Sequence, residues 1–231
     1  MEAIVLAGGL GTRLRESVPA LPKPMASIAG RPFLEILLNS LAHKGFRRVV
    51  LSLGYMAETV IAHFGDKFGE ITLLYEIERT PLGTGGAVRQ ALTQCHNDHA
   101  FVFNGDTYLD LEVESVDAHW RTHRAPIIVA TQLPNTARYG SLETSDGRVV
   151  GFHEKGGPEQ GLINAGCYVL NADLLNQFAL GQPFSLETDF LPAAVRRARF
   201  DLFVSKGYFI DIGVPEDYAR AQVELAGMKV D

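Results

Sequence analysis

Only two cysteines, Cys95 and Cys167, occur in the 231 residues, and they form no close-spaced pair. No disulfide framework is expected, and two reduced thiols in a cytoplasmic protein are. Basic charge is scarce as well. The chain has 21 Lys and Arg against 27 Asp and Glu, for a formal charge of −6. A balance of that sign argues against general nucleic-acid binding, which leaves a basic footprint. It leaves room for an anionic small molecule held by a few local cations. No apolar run reaches membrane-spanning length. The first residues carry neither a basic region nor a long apolar stretch, so no signal peptide is expected. There is no Pro/Ser-rich linker and no internal repeat. No serine sits in a Gly-x-Ser-x-Gly elbow, and no zinc site is expected from the seven histidines.

What is present is a globular composition, 46% hydrophobic, sufficient for one large α/β domain. Short apolar runs alternate with helical patterns. Residues 3–7, 48–54, 71–78 and 100–106 read as buried strands, and 32–45, 57–65 and 85–95 as helices. This rhythm implies a mainly parallel sheet covered by helices on both faces. The second half is less regular. Residues 125–133 and 163–171 read as strands, 141–155 as a hairpin turning at Asp146-Gly147, 184–198 as a helix broken or kinked at Leu191-Pro192, and 215–226 as a closing helix. Trp120, in the helical stretch VESVDAHWRTH, reads as a partly buried packing residue. A single domain over 1–231 is expected, with a nucleotide-binding half at 1–110 and an antiparallel-decorated half at 111–231.

The stretch IVLAGGLGTRLRESVPALPKPM carries the strongest chemical signal. A strand ends at Leu6 and Ala7 and runs into Gly8, Gly9 and Gly11. Thr12, Arg13 and Arg15 follow, then Lys23 between two prolines. Glycines bring backbone N–H groups against a ligand, and such rows of amides bind anions. A loop placed directly after the first strand of a parallel sheet lies at the ligand-binding edge. Arginine and lysine suit phosphate oxygens, so a phosphate chain is the expected guest. The loop is neither a Walker A loop nor a dinucleotide fingerprint. No Gly-Lys-Ser/Thr follows it, and the second strand ends Leu-Ser-Leu-Gly-Tyr with no acid.

AGGLGTRLR…PKPM resembles the signature of the nucleotidyltransferases that activate sugar 1-phosphates. The likeness continues through PLGTGGA (81–87), FNGD (103–106), FHEK (152–155), INAGCYVL (163–170) and FIDIG (209–213), in that family's order. Within the family the wording is most similar to the D-glycero-D-manno-heptose 1-phosphate guanylyltransferases. Mannose-1-phosphate guanylyltransferases and N-acetylmuramate-1-phosphate uridylyltransferases share most of these motifs. The resemblance implies a Rossmann-like, GT-A-like α/β fold with Mg²⁺ as cofactor. It implies that Arg13, Lys23 and Asp106 are catalytic, and that Asp106 and Asp211 hold the metal. Leu6, Ala7, Gly8, Gly9, Gly11, Thr12, Arg13, Glu78, Gly83, Thr84 and Gly105 would bind the nucleotide, with the 82–86 loop and its helix N-terminus at the base. Gly140, Glu154, Lys155, Asn164 and Glu187 would bind the sugar phosphate.

The implied reaction is attack of a sugar 1-phosphate oxygen on the α-phosphorus of a nucleoside triphosphate, with GTP favoured, releasing pyrophosphate. The nucleophile is already an anion, so the task is neutralisation and alignment rather than base catalysis. Two unit charges ~4 Å apart repel by ~4 kcal/mol at an effective dielectric of ~20. The expected setting is cytoplasmic, as a monomer or small homo-oligomer without nucleic-acid or membrane partners. A non-catalytic sensor of nucleotide-sugars is the alternative from another class. A nicotinamide-dependent dehydrogenase is disfavoured by the missing ribose-binding acid.

Overall fold

The computed structural model describes residues 1–9, 21–153 and 160–227. Strand β1 (Glu2–Leu6) is followed by a small hairpin, β2 (Ser27–Ile28) and β3 (Arg31–Pro32). Then come α1 (Phe33–His43), β4 (Arg48–Leu53), α2 (Ala57–Phe64), β5 (Lys67–Phe68), β6 (Ile71–Ile77), α3 (Gly83–Ala91) and β7 (His99–Asn104). The second half contains β8 (Thr107–Leu109), α4 (Val113–His123), β9 (Ile127–Leu133), β10 (Ser141–Ser145), β11 (Arg148–His153) and β12 (Gly161–Asn171). It ends with α5 (Leu191–Arg197), β13 (Asp201–Ser205), β14 (Phe209–Asp211) and α6 (Pro215–Glu224). Pro32 stands just before α1, where its missing N–H costs nothing, and Gly45, at φ +82°, closes the helix in a left-handed turn.

Among the described residues ten strands form one sheet, in the order β10-β11-β13-β9-β12-β7-β1-β4-β6-β5. The run β7-β1-β4-β6 is parallel throughout, and so is the pair β9-β13. The long β12 runs antiparallel between β7 and β9 and splices the two parallel groups into one sheet. The antiparallel share is therefore central to the sheet as well as decorative, because β12 lies in its middle. Its register shifts between Asn164 and Cys167, and Gly166 sits there at φ +67°, beside the Asn104 side chain where a Cβ would have no room.

Alternation along the strands sorts the core into two layers. Ala3 and Val5, Phe101 and Phe103, and Cys167 and Val169 face α1, α2 and α4. Ile4, Ala100 and Val102, and Tyr168 and Leu170 face α3, α5 and the segment before α5. Central strands buried on both sides read as unbroken apolar runs for this reason. Phe46 stands edge-on to Phe101 and Phe103, with ring centroids 5.2 and 5.9 Å away, an arrangement worth ~0.5–1.5 kcal/mol per pair beyond burial. A third cluster joins the two ends of the chain: Ala26, Ile28, Phe33 and Ile36 pack with Tyr108, Ile210, Ile212, Ala221 and Leu225.

Residues 184–198 are broken at Leu191, one of the two outcomes expected there. Ser185 caps a π-helical turn, Leu186–Phe190, by accepting the Thr188 N–H, and α5 then begins at Leu191 with Pro192 in its first turn. Proline there starts a helix because it sits where no intrahelical donor is needed. Trp120 is 2% exposed rather than partly buried, with its indole N–H on Asn171 Oδ1 at 3.1 Å. The 146–147 turn has positive φ at both residues, +50° and +71°, matching the predicted hairpin. Among the described residues no helix is long and apolar enough to cross a membrane.

Candidate active site

The carboxyl ends of β1, β4, β6 and β7 share one edge of the sheet, and a cavity of about 700 Å³ opens there. Leu6, Ala7, Gly8, Gly9, Glu78, Gly83, Thr84, Gly105, Lys23 and Asp106 all line it, so most of the predicted nucleotide set is gathered in one place. Gly105 is required by close approach. Its N–H donates to Leu6 O at 2.9 Å, and a Cβ would stand 2.6 Å from that same oxygen. Gly8 is confined in the same way, with a Cβ position 2.7 Å from Glu78 Oε1. A side chain at Gly105 would push the ends of β1 and β7 apart, and one at Gly8 would press on Glu78 and the end of β4.

Lys23 stands on a single 3₁₀ turn, Lys23–Met25, between Pro22 and Pro24. Pro24 and Met25 are buried, so the turn is anchored and the ammonium is presented on a stiff base. That ammonium forms an ion pair with Asp106 Oδ2. Asp106 follows Gly105 in the turn from β7 to β8. Asp211 reaches the same spot from far along the chain, because β14 pairs antiparallel with β8 and sets Asp211 opposite Thr107. Ile212 N–H donates to Asp106 O at 2.9 Å, locking the two turns together. Asp211 Oδ1 accepts the Gly213 N–H at 2.7 Å. Burial, and then the charge of Asp106, push the Asp211 carboxyl up from 3.8 to about 6, with Lys23 pulling the other way. The two carboxylates thus feel each other across a short gap, with one ammonium to offset them. This hard oxygen donor set suits a small divalent cation such as Mg²⁺.

The loop before α3 is bound by the second half of the chain. Gly85 and Gly86 N–H both donate to Phe184 O, at 2.9 and 3.2 Å, and Phe184 N–H donates to Leu82 O. The helix N-terminus expected to attract a base therefore has two of its first amides already taken. Glu78 Oε2 accepts the Leu82 N–H at 2.8 Å and Oε1 accepts the Ser52 hydroxyl at 3.2 Å, so this carboxylate braces the loop as well as lining the cavity. The Thr84 hydroxyl donates to Glu187 Oε2 at 2.5 Å and accepts the Leu186 N–H at 2.9 Å. Thr84 thus faces the expected sugar side through its hydroxyl, although it lines the cavity that holds the expected nucleotide set.

The expected sugar-binding residues meet around a side chain the sequence reading passed over, Tyr168, which is fully buried. Asn164 Nδ2 donates to the Tyr168 hydroxyl at 2.6 Å, and that hydroxyl donates to Glu187 Oε1 at 3.1 Å. Ser185 Oγ also donates to Glu187, at 3.0 Å. Asn164 N–H donates to Gly140 O at 3.0 Å, which brings Gly140 into the group. Burial and the neighbouring Glu187 hold the Tyr168 phenol well above its usual range, so it stays a neutral donor. Tyr55, Arg79 and Asn104 line the cavity too and were not singled out as site residues. Arg79 follows Glu78 off the strand end, a position that the strand-edge rule alone would have flagged. Gly11, Thr12, Arg13, Arg15, Glu154 and Lys155 lie outside the described residues.

The nucleotidyl transferase family matches this chain over residues 2–227. The chain is 40% identical over 226 residues to D-glycero-alpha-D-manno-heptose 1-phosphate guanylyltransferase of Aneurinibacillus thermoaerophilus, covering 97% of this chain and 98% of that protein. It is 34% identical over 231 residues to mannose-1-phosphate guanylyltransferase of Mycobacterium tuberculosis, covering 97% of this chain but 64% of that protein. Among solved structures, HddC from Yersinia pseudotuberculosis complexed with GMP-PN superposes with a TM-score of 0.87 at 37% identity, covering 97% of this chain and 99% of that one.

Proposed function

The chain belongs to the nucleotidyl transferase family, and from that premise we propose that it transfers GMP from GTP to D-glycero-α-D-manno-heptose 1-phosphate, releasing pyrophosphate and forming a GDP-heptose. The observation that carries the catalytic reading is the meeting of Lys23, Asp106 and Asp211 at the edge of the glycine-floored cavity. Three groups from segments of the chain more than 80 residues apart converge there, as a reaction between two anions requires. The identity to the heptose enzyme, 40% against 34% for the mannose enzyme, favours the heptose substrate.

In this reading the backbone at Gly8 and Gly9 admits the triphosphate, and Gly83, whose missing side chain makes room for Phe184 O, lines the part of the cavity that takes the flat base. Asp106 and Asp211 would hold Mg²⁺, which when bound neutralises phosphate oxygens and orients them. Lys23 exchanges its contact with Asp106 for an α-phosphate oxygen and offsets charge building there. Asn164 and Glu187, steadied by Tyr168, Thr84 and Ser185, take the hydroxyls of the heptose. Arg13 attends the departing pyrophosphate, and Lys155 holds the phosphate of the incoming sugar. An oxygen of that phosphate bonds to the α-phosphorus as the bond to the β-phosphate oxygen breaks, and no proton moves. The nucleoside triphosphate supply places this reaction in the cytoplasm.

The test is a matrix of four nucleoside triphosphates against heptose, mannose and N-acetylmuramate 1-phosphates, reading pyrophosphate. GTP with the heptose 1-phosphate is expected to give the highest kcat/KM. A higher value for mannose 1-phosphate, or for UTP with N-acetylmuramate 1-phosphate, would reassign the substrate. Pyrophosphate from no combination would leave a nucleotide-sugar sensor.

A further inference from the structure

We propose that the chain carries a second metal site, away from the cavity, in which His119, His123 and Asp201 bind a divalent transition metal of the zinc class. His119 and His123 lie four residues apart on α4, so they project from one face of the helix, one turn apart. This is a His-x-x-x-His spacing, and the expectation of no zinc site passed over it. Asp201 opens β13 and is 1% exposed. One nitrogen of each histidine and one oxygen of the aspartate lie within 4.8 Å of one another. His119 Nε2 is 2.9 Å and His123 Nδ1 is 3.1 Å from the same atom, Asp201 Oδ2.

Two imidazoles aimed at one carboxylate oxygen form an open tripod. Two nitrogens and one oxygen, with a fourth position left to water, are a donor set that zinc accepts and magnesium does not favour. The tripod is pre-built. Asp201 is fixed by the sheet, since its N–H donates to Pro126 O at 2.8 Å and its Cα pairs with Ile127 in β9. Arg199 forks onto both carboxylate oxygens, Nε on Oδ1 at 2.6 Å and Nη2 on Oδ2 at 3.0 Å, which fixes the carboxylate as an outer partner does in metal sites and means that an entering ion takes Oδ2 from the Nη2 contact while Nε keeps Oδ1. The histidine side chains are 29% and 36% exposed, so an ion can enter from solvent. Without an ion the same groups satisfy one another by hydrogen bonds, so the alternative to a metal site is a closed polar cluster.

The location sets the role. β13 runs parallel to β9, and β9 and β7 both run antiparallel to β12, so β13 starts at the end of the sheet opposite the cavity. A metal here touches no substrate. It clasps the last turn of α4 to the start of β13 and acts on stability rather than on turnover.

The probe is Zn²⁺, added to the full chain after chelator treatment, with excess Mg²⁺ occupying oxygen sites. Thermal unfolding and the visible bands of Co²⁺ in place of Zn²⁺ are the two readouts. Wild type is expected to gain melting temperature with Zn²⁺ and to show the intense bands of four-coordinate Co²⁺. His119→Gln and His123→Gln are each expected to weaken binding by at least ~10-fold, and the double substitution to abolish both signals while leaving turnover unchanged. No gain in wild type would establish the closed cluster and overturn the proposal. An equal gain in the double variant would place the ion elsewhere and overturn it as well.

Discussion

Replacing Asp211 by Asn is expected to stabilise the metal-free protein while removing its activity. The Asp211 carboxyl titrates at about 6 instead of 3.8, because burial and then the charge of Asp106 oppose its ionisation. Each tenfold change in an ionisation equilibrium corresponds to about 1.4 kcal/mol, so holding this group ionised destabilises the fold by up to ~3 kcal/mol at neutral pH. The sign follows from proton counting. Between the ordinary and the raised value the native state binds more protons than the unfolded chain. Stability from this group is therefore full below the ordinary value and is lost as pH rises through about 6. Asparagine keeps an oxygen for the Gly213 N–H, now at 2.7 Å, and has no charge to lose. Allowing for burial of the amide, the expected gain is ~1–2 kcal/mol, or ~2–8 °C in Tm for a chain of this size. Thermal unfolding in EDTA should show the gap between variant and wild type widest above about pH 7 and nearly closed by about pH 4. Mg²⁺ should raise the Tm of wild type more than that of the variant, and turnover should fall at least ~100-fold, the scale of losing one electrostatic stabiliser. A variant that melts below wild type in EDTA at neutral pH, or a gap independent of pH, would refute the picture of two carboxylates in conflict.

Lys23→Ala is expected to lower kcat at least ~100-fold in the pyrophosphate assay, since it removes the only cation seen beside Asp106 and Asp211 among the described residues. Tyr168→Phe leaves Asn164 Nδ2 and Glu187 Oε1 short of a partner, a loss of ~1–3 kcal/mol. Steady-state kinetics should show KM for the sugar phosphate rising ~10-fold with KM for the triphosphate unchanged. Gly105→Ala forces a Cβ to within 2.6 Å of Leu6 O, and differential scanning calorimetry is expected to register ~1–3 kcal/mol of lost stability. Lys155→Ala should weaken use of the sugar phosphate and leave triphosphate binding intact by titration calorimetry. Loss of triphosphate binding instead would reverse the assignment of the two halves.

The cation and anion of the catalytic reading were legible for different reasons. Lys23 was readable because two flanking prolines declare a rigid turn, and Asp106 because it ends an apolar strand with a glycine before it. Asp211 had no such local mark, and only its motif suggested a partner for Asp106. Thr84 lines the cavity as expected, but its hydrogen-bond partner was not legible locally. Its loop resembles a base-binding turn, yet its hydroxyl belongs to Glu187, 103 residues away. Tyr168 gave no signal at all. It sits in a strand where any large residue could serve the core, and its role depends on which polar atoms the fold brings to its hydroxyl. His119 and His123 were readable in spacing but not in consequence, since Asp201 stands at the start of another strand.

The order of strands and helices, the glycine floor and the anchored lysine follow from local chemistry: side-chain period, turn propensity and proline geometry act over a few residues and are written directly in the chain. Which residues face each other does not follow from it. That β12 would run antiparallel through the middle of the sheet, that β14 would pair with β8 and carry Asp211 to Asp106, and that the 184–187 segment would take the amides of α3 are outcomes of long-range pairing. Such pairings depend on which apolar faces bury each other best over the whole molecule, a sum over many weak contacts that no single stretch of sequence contains.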